Sequence, residues 1–220
     1  TTDETILQRG LNEITEYFAG HMSARREAPG DDLISYLLQA KYPDGEPFKP
    51  NHVLGSLRLL LVAGIDTTWS GIGASIWHLA LTPADRARLV REPALIPTAI
   101  EEFLRAYAPV TMARLVAKET TVNGCKFAEG QMVMLSFPAA NRDPEAFPDA
   151  EKVIIDRQEN RHAAFGLGIH RCIGSNLARM EMTVAVEELL RRCPEFRLAG
   201  DVVWSHGTVR GPRELPIAFK

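Results

Sequence analysis

The chain has 220 residues, of which 45% are hydrophobic and 24% charged, an ordinary balance for a folded globular protein with a substantial core. A net charge of -3 gives no overall electrostatic case for nucleic acid. Its three cysteines, Cys125, Cys172 and Cys193, lack zinc-like spacing and are too few for a disulfide frame, so free thiols in a reducing compartment are expected.

The opening TTDETILQRG is polar and carries three charged residues, which reads against a signal peptide. Ile6, Leu7, Leu11, Ile14, Tyr17 and Phe18 recur at helical spacing over residues 4–27. Pro29-Gly30 breaks that run, and Asp31 or Asp32 caps a short helix reaching Leu38. KYPDGEPFKP reads as a turn. Asn51 is the expected cap of a long helix ending near Leu81. Within it, residues 57–81 are apolar enough to raise the question of a membrane span. Arg58 and Asp66, only seven uncharged residues apart, argue for a buried helix instead.

Thr82-Pro83 should open the next helix through hydroxyl capping and a first-turn proline. Thr98 and Glu101 then match a Thr-x-x-Glu capping box for a helix ending before Pro109, which places Glu102 and Arg105 on one face. Between 113 and 135, short strand-like runs alternate with Asn123-Gly124 and Glu129-Gly130, predicting a small antiparallel sheet. Residues 141–163 read as a long irregular coil, and coils of that length usually serve a site. A helix from about Gly174 to Arg192 and strands in FRLAGDVVW and LPIAFK complete a mainly α fold with a minor antiparallel β part. No linker divides it.

One stretch stands apart from this pattern: FGLGIHRCIG, residues 165–174. Its glycines permit tight turns and close approach to a flat partner. Cys172 lies where a loop meets a helix N-terminus, beside His170 and Arg171, a setting that favours a thiolate. A small packing cysteine is one reading; a nucleophile or a metal ligand is another. No local protease signature accompanies the thiol, and one thiolate cannot hold zinc. It can serve as the single axial ligand of haem iron.

Phe165, Gly168, Cys172 and Gly174 together resemble the haem-ligand signature of the cytochrome P450 family, Phe-x-x-Gly-x-x-x-Cys-x-Gly. AGIDTT, residues 63–68, resembles the family's oxygen-activating helix motif, and Glu102-Phe-Leu-Arg105 its Glu-x-x-Arg. The resemblance runs in order from about residue 4 to the C-terminus. The usual Phe-Asp before the coil arginine is replaced by Val153-Ile154.

The resemblance implies the C-terminal half of a cytochrome P450 fold, with residues 1–220 one part of a single haem-thiolate monooxygenase domain of the soluble, cytoplasmic, bacterial type. Cys172 would be the proximal ligand of haem b. Asp66 and Thr67 would deliver protons, while Ala63 and Gly64 let the helix lie close to the haem. Arg114, His170 and His162 would meet its carboxylates; Phe165, Gly166 and Gly174 would shape the loop beneath it. Glu102, Arg105 and Arg157 would form a supporting network. Leu60, Val110, Thr111, Met112 and Val209 would line a pocket for a small hydrophobic or aromatic organic substrate. O2 would be the oxidant, with electrons from a ferredoxin or flavodoxin and its reductase, docking near Arg171 and Arg179. Membrane and nucleic-acid partners are not expected. Competing functions are a haem sensor or carrier, a peroxygenase, and an inactive haem-free fragment. Asp66-Thr67 weighs against the first two, since neither needs that proton route.

Overall fold

A computed structural model describes residues 4–220 as seven α-helices and eight short strands. Two compact units divide the chain, one ending at Ile65 and the other covering Asp66–Lys220, so the boundary falls inside the longest helix.

The first unit holds α1 (Glu4–Glu27), α2 (Leu33–Gln39) and the first half of α3 (Pro50–Leu81). Asp32 caps α2 as expected, its carboxylate accepting from the Ser35 N–H at 2.8 Å. The core of this unit is Met22, Val53 and Leu57, flanked by Phe18, Ile34, Leu37, Leu38 and Phe48. Ile6, Leu7, Leu11 and Tyr17 are exposed, so only the C-terminal part of the α1 stripe is used here. Asn51 is not the cap of α3. The helix starts one residue earlier, at Pro50, where a missing N–H costs nothing, and the His52 and Val53 N–H groups turn back onto the Lys49 carbonyl.

In the second unit α4 (Pro83–Arg91) and α5 (Ile96–Ala106) pack beside α7 (Ser175–Arg192), with a short α6 (Phe137–Ala140) between. The core joins Leu79, Leu89, Ile96, Ile100, Phe103, Met182, Val186, Leu190 and Phe196. Two capping expectations fail. Thr82 occupies the cap of α4 but its side chain makes no capping bond. The Thr98–Glu101 box does not exist, because α5 begins at Ile96 directly after a 3-10 turn, Pro93–Leu95; Glu101 is thereby released for another partner. Length and apolarity would let α3 cross a bilayer, with mean hydropathy 1.3 in its most apolar window. Its C-terminal half instead buries Ser70, Ala74, Ser75, His78 and Leu79. His78 lies between Tyr107 and Asp85, at 2.8 Å from each, polar pairing that suits a protein interior rather than lipid.

The strands form four antiparallel pairs. β1 (Met112–Leu115) pairs with β4 (Met132–Leu135), and β2 (Thr120–Val122) with β3 (Cys125–Phe127) across Asn123-Gly124, both at positive φ as a tight hairpin requires. β5 (Phe196–Leu198) meets β8 (Ile217–Phe219). β6 (Val203–His206) pairs with β7 (Arg210–Glu214), a strand that RGPRE does not suggest by composition. This last hairpin lies directly on α3. A Cβ added at Gly211 would stand 2.4 Å from Ser70 Cβ and 2.8 Å from its Cα, so glycine is required by contact with a helix backbone. Gly211→Ala is expected to cost about 1–3 kcal/mol through overpacking, read as a lowered urea midpoint. An unchanged midpoint would show that the hairpin lifts freely.

Candidate functional site

The 165–174 loop is closed by its own backbone. The Cys172 N–H donates to the Phe165 carbonyl at 2.8 Å, Gly166 N–H to Ala163 at 2.9 Å and Arg171 N–H to Gly168 at 3.1 Å. Gly166 and Gly168 have φ of 68° and 66°, values at which a Cβ is strained. A Cβ at Gly166 would also sit 3.7 Å from the Phe137 ring. Gly174 caps α7, and a Cβ there would approach the Cys172 sulfur at 3.9 Å. Cys172 and His170 are exposed.

Around the thiol, Leu167, Ile169, Ile173, Leu177 and Met180 are all more than half exposed, Ile169 reaching 97%. So many exposed apolar side chains within fourteen residues of chain point to a binding face. One thiol on an apolar glycine loop fits an iron whose equatorial positions a flat macrocycle already fills. The residues present therefore fit a haem. Arg114, half-buried on β1, shares a strand face with Met112 and donates to the carbonyl of its neighbour Ala113 at 2.9 Å; its guanidinium is suited to a carboxylate.

Asp66 and Thr67 lie half-buried on α3, while Ala63 and Gly64 are exposed. Asp66 has a partner that sequence reasoning missed: Arg213 of β7 pairs with both its carboxylate oxygens, the second contact at 3.1 Å. Hydrogen bonding to Asp66 raises the Arg213 guanidinium above its ordinary range. The same hairpin bridges Val209 to Val110, and the Thr111 N–H reaches Thr208 O at 3.2 Å. Three of the expected pocket residues, Val110, Thr111 and Val209, are thus brought together. Met112 follows them on β1 with 41% exposure, and Leu60 belongs to the first unit.

The network expected of Glu102, Arg105 and Arg157 is assembled and buried. Glu102 accepts from Arg105 Nε and Nη2 at 2.8 Å each, and from Arg157 Nε at 3.0 Å. Both Glu102 and Arg105 have no exposed side-chain surface. Asn141, which carries no sequence signal, joins them. Its carbonyl accepts from Arg105, while its side-chain oxygen receives the Ala163 N–H at 2.7 Å.

Two expectations require correction. His162 is not turned toward a ligand carboxylate. Its side chain is 1% exposed, Nδ1 accepts the Ala164 N–H, and Nε2 donates to Glu101 Oε2 at 3.1 Å, so both ring nitrogens are engaged. Arg179 is not a free surface charge for a partner. It holds Glu101 with two bonds of 2.6 and 3.0 Å and covers the Phe165 ring at 4.6 Å. Arg171 remains exposed. Burial pushes the Glu101 carboxyl up, but bonds from His162 and Arg179 outweigh it and hold the group at about 2. Its folded value is depressed, so its contribution is full above the ordinary carboxylate value and is lost as pH falls toward about 2.

The cytochrome P450 family profile matches residues 5–199. The mycinamicin IV hydroxylase/epoxidase of Micromonospora griseorubida is 36% identical over 221 residues, covering 97% of this chain and 55% of that protein. Solved structures agree. The bacillaene polyketide synthase cytochrome P450 PksS of Bacillus subtilis matches with a TM-score of 0.93 and 36% identity, over 100% of this chain and 58% of that one. CYP109E1 of Bacillus megaterium, in complex with testosterone, matches with a TM-score of 0.91 and 36% identity, over 99% and 62%. The chain spans about half the length of the curated relatives it matches. With a profile match across most of its residues and a shared fold throughout, the chain belongs to the cytochrome P450 family.

Proposed function

We propose that this chain is the C-terminal part of a haem-thiolate monooxygenase domain, with Cys172 the protein ligand of haem b. The observation that carries the reading is the exposed Cys172 on a loop closed by the 2.8 Å bond to Phe165 and surrounded by exposed apolar side chains. When bound, the haem supplies the iron at which O2 takes two electrons and two protons, one oxygen atom entering the substrate and the other leaving as water.

The chain's own residues divide the remaining work. The Cys172 sulfur donates electron density to the metal. Arg114 and His170 offer a guanidinium and an imidazole to the haem carboxylates. Asp66 holds a proton-accepting carboxylate at the end of the Arg213 pair, and the Thr67 hydroxyl is the next group along the helix able to pass a proton inward. Ala63 and Gly64 keep that stretch of helix free of bulk. Val110, Thr111, Met112 and Val209 supply a mainly apolar wall for a small organic substrate, water being excluded by side chains of that kind. Phe165, Gly166 and Gly174 maintain the loop.

Electrons come from outside the chain, from a ferredoxin or flavodoxin served by a reductase, and Arg171 is the exposed cation on the cysteine side that such an acidic donor can meet. A water-soluble, cytoplasmic setting agrees with the buried polar pairing in α3 and with three free thiols.

The spectrum of the reduced protein with CO tests the reading. A thiolate-type Soret shift is expected, and haem binding without that shift would exclude it. Thr67→Ala should leave the spectrum intact while product per O2 consumed drops, approaching the ~10²-fold that a positioned proton donor contributes. Unchanged coupling would remove Thr67 from the proton route. A sensor or carrier would show no product with either sequence.

A further inference from the structure

We propose that Glu101 is a positioning residue for the Cys172 loop, clasping both of its ends at a single carboxylate. The inference rests on the reading of Cys172 as the haem ligand and extends it to a residue of α5. The loop is entered from His162, three residues before Phe165, and left through Arg179 on α7. Both of these side chains terminate on Glu101. Arg179 donates from Nε to Oε1 at 2.6 Å and from Nη2 to Oε2 at 3.0 Å, and His162 donates from Nε2 to Oε2 at 3.1 Å.

From there the constraint passes to the thiol through two contacts. The Arg179 guanidinium lies 4.6 Å from the Phe165 ring centroid, and the His162 ring centroid lies 6.1 Å from it. Phe165 therefore packs against both of the groups that Glu101 fixes. Its carbonyl accepts the Cys172 N–H at 2.8 Å, so the placement of Phe165 is the placement of Cys172. A bidentate guanidinium–carboxylate pair suits this task because it fixes orientation as well as distance. Neighbouring Glu102 serves two buried arginines, Arg105 of its own helix and Arg157 of the coil. Two adjacent carboxylates thus order two successive segments, Glu102 the coil and Glu101 the loop that follows it.

The test uses the haem-loaded protein and reads the state of the ligand rather than turnover. Glu101→Gln keeps the side-chain shape but removes the charge that orients Arg179. We expect part of the reduced CO complex to change from the thiolate type to the thiol type, with haem dissociation faster by about 10-fold, the equivalent of one lost charge-assisted contact. Arg179→Lys, which keeps the charge but loses the fork and the stacking plane, should give the same change to a smaller degree. Glu188→Gln, in an exposed ion pair with Arg191 and Arg192 on the same helix, should change neither readout.

A second measurement does not need haem. In a background with Cys125 and Cys193 replaced by Ser, the rate at which an aromatic disulfide labels Cys172 should rise several-fold in Glu101→Gln. Wild-type thiolate fraction, haem dissociation and labelling rate in both Glu101→Gln and Arg179→Lys would overturn the proposal. If the unaltered protein binds haem without the thiolate-type shift, the functional reading fails instead, and the labelling rates still decide whether Glu101 positions the loop.

Discussion

Cys172→Ala is expected to abolish the thiolate-type Soret shift of the reduced CO complex entirely, the largest spectroscopic effect of any single change in this chain. No other sulfur can take its place. Cys193 caps the far end of α7, an 18-residue helix whose length of about 27 Å separates it from the loop. Cys125 opens β3 beside the Asn123-Gly124 turn. His170 lies two residues from Cys172 and is exposed, so any iron retained by the variant should show imidazole or water ligation instead. Cys193→Ala is the matching control and should keep the full shift. A thiolate-type spectrum surviving in Cys172→Ala would assign the ligand elsewhere and remove the basis of the proposed function.

The second large effect is on stability. Glu102→Ala should destabilise the fold by about 3–5 kcal/mol, the usual consequence of leaving buried cations without their counter-charge. The geometry shows why no lesser change is expected. Arg105 uses all five of its N–H donors: Nε and one Nη2 bond to Glu102, the other Nη2 bond to Lys152 O, and two Nη1 bonds to Asn141 O and Ala150 O, all between 2.7 and 2.8 Å. Arg157 adds Pro148 O at 2.7 Å and Asp149 O at 3.4 Å. Glu102 itself accepts the Ile154 N–H at 2.8 Å.

Removing the carboxylate leaves two guanidinium groups buried with only neutral acceptors. A loss of that size is a large share of the roughly 5–15 kcal/mol by which a domain is stable. Urea unfolding followed by circular dichroism, together with soluble yield, measures it. A loss below about 1 kcal/mol would mean that this buried network contributes no more than an ordinary surface pair. Arg105→Lys should also be costly, since one ammonium cannot reproduce a five-donor fork.

These bonds also explain a region that periodicity could not describe. The 141–163 coil is fixed because the arginines hold its carbonyls at 141, 148, 149, 150 and 152. Nothing in the residue types at those positions announces it, because every residue offers the same carbonyl. The arginines and their glutamate were recognisable; the atoms they bind were not.

The same contrast holds elsewhere. Helix extents, the Asp32 cap and the Asn123-Gly124 hairpin follow from neighbours in sequence, where spacing and turn chemistry act over a few residues. The Asn51 and Thr98 caps fail because Pro50 and the Pro93–Leu95 turn start their helices earlier. By itself the sequence determined the family, the mainly helical fold, the single thiol on its glycine loop and the acid–alcohol pair on the long helix, since each depends on residue identity at short, rigid spacings. Only the tertiary structure decided that Asp66 is paired with Arg213, that Gly211 must admit Ser70, and that Glu101 gathers His162 and Arg179 around Phe165. Those partners lie 61 to 147 residues apart along the chain, and a charge chooses its partner by where packing leaves it, not by its place in the sequence.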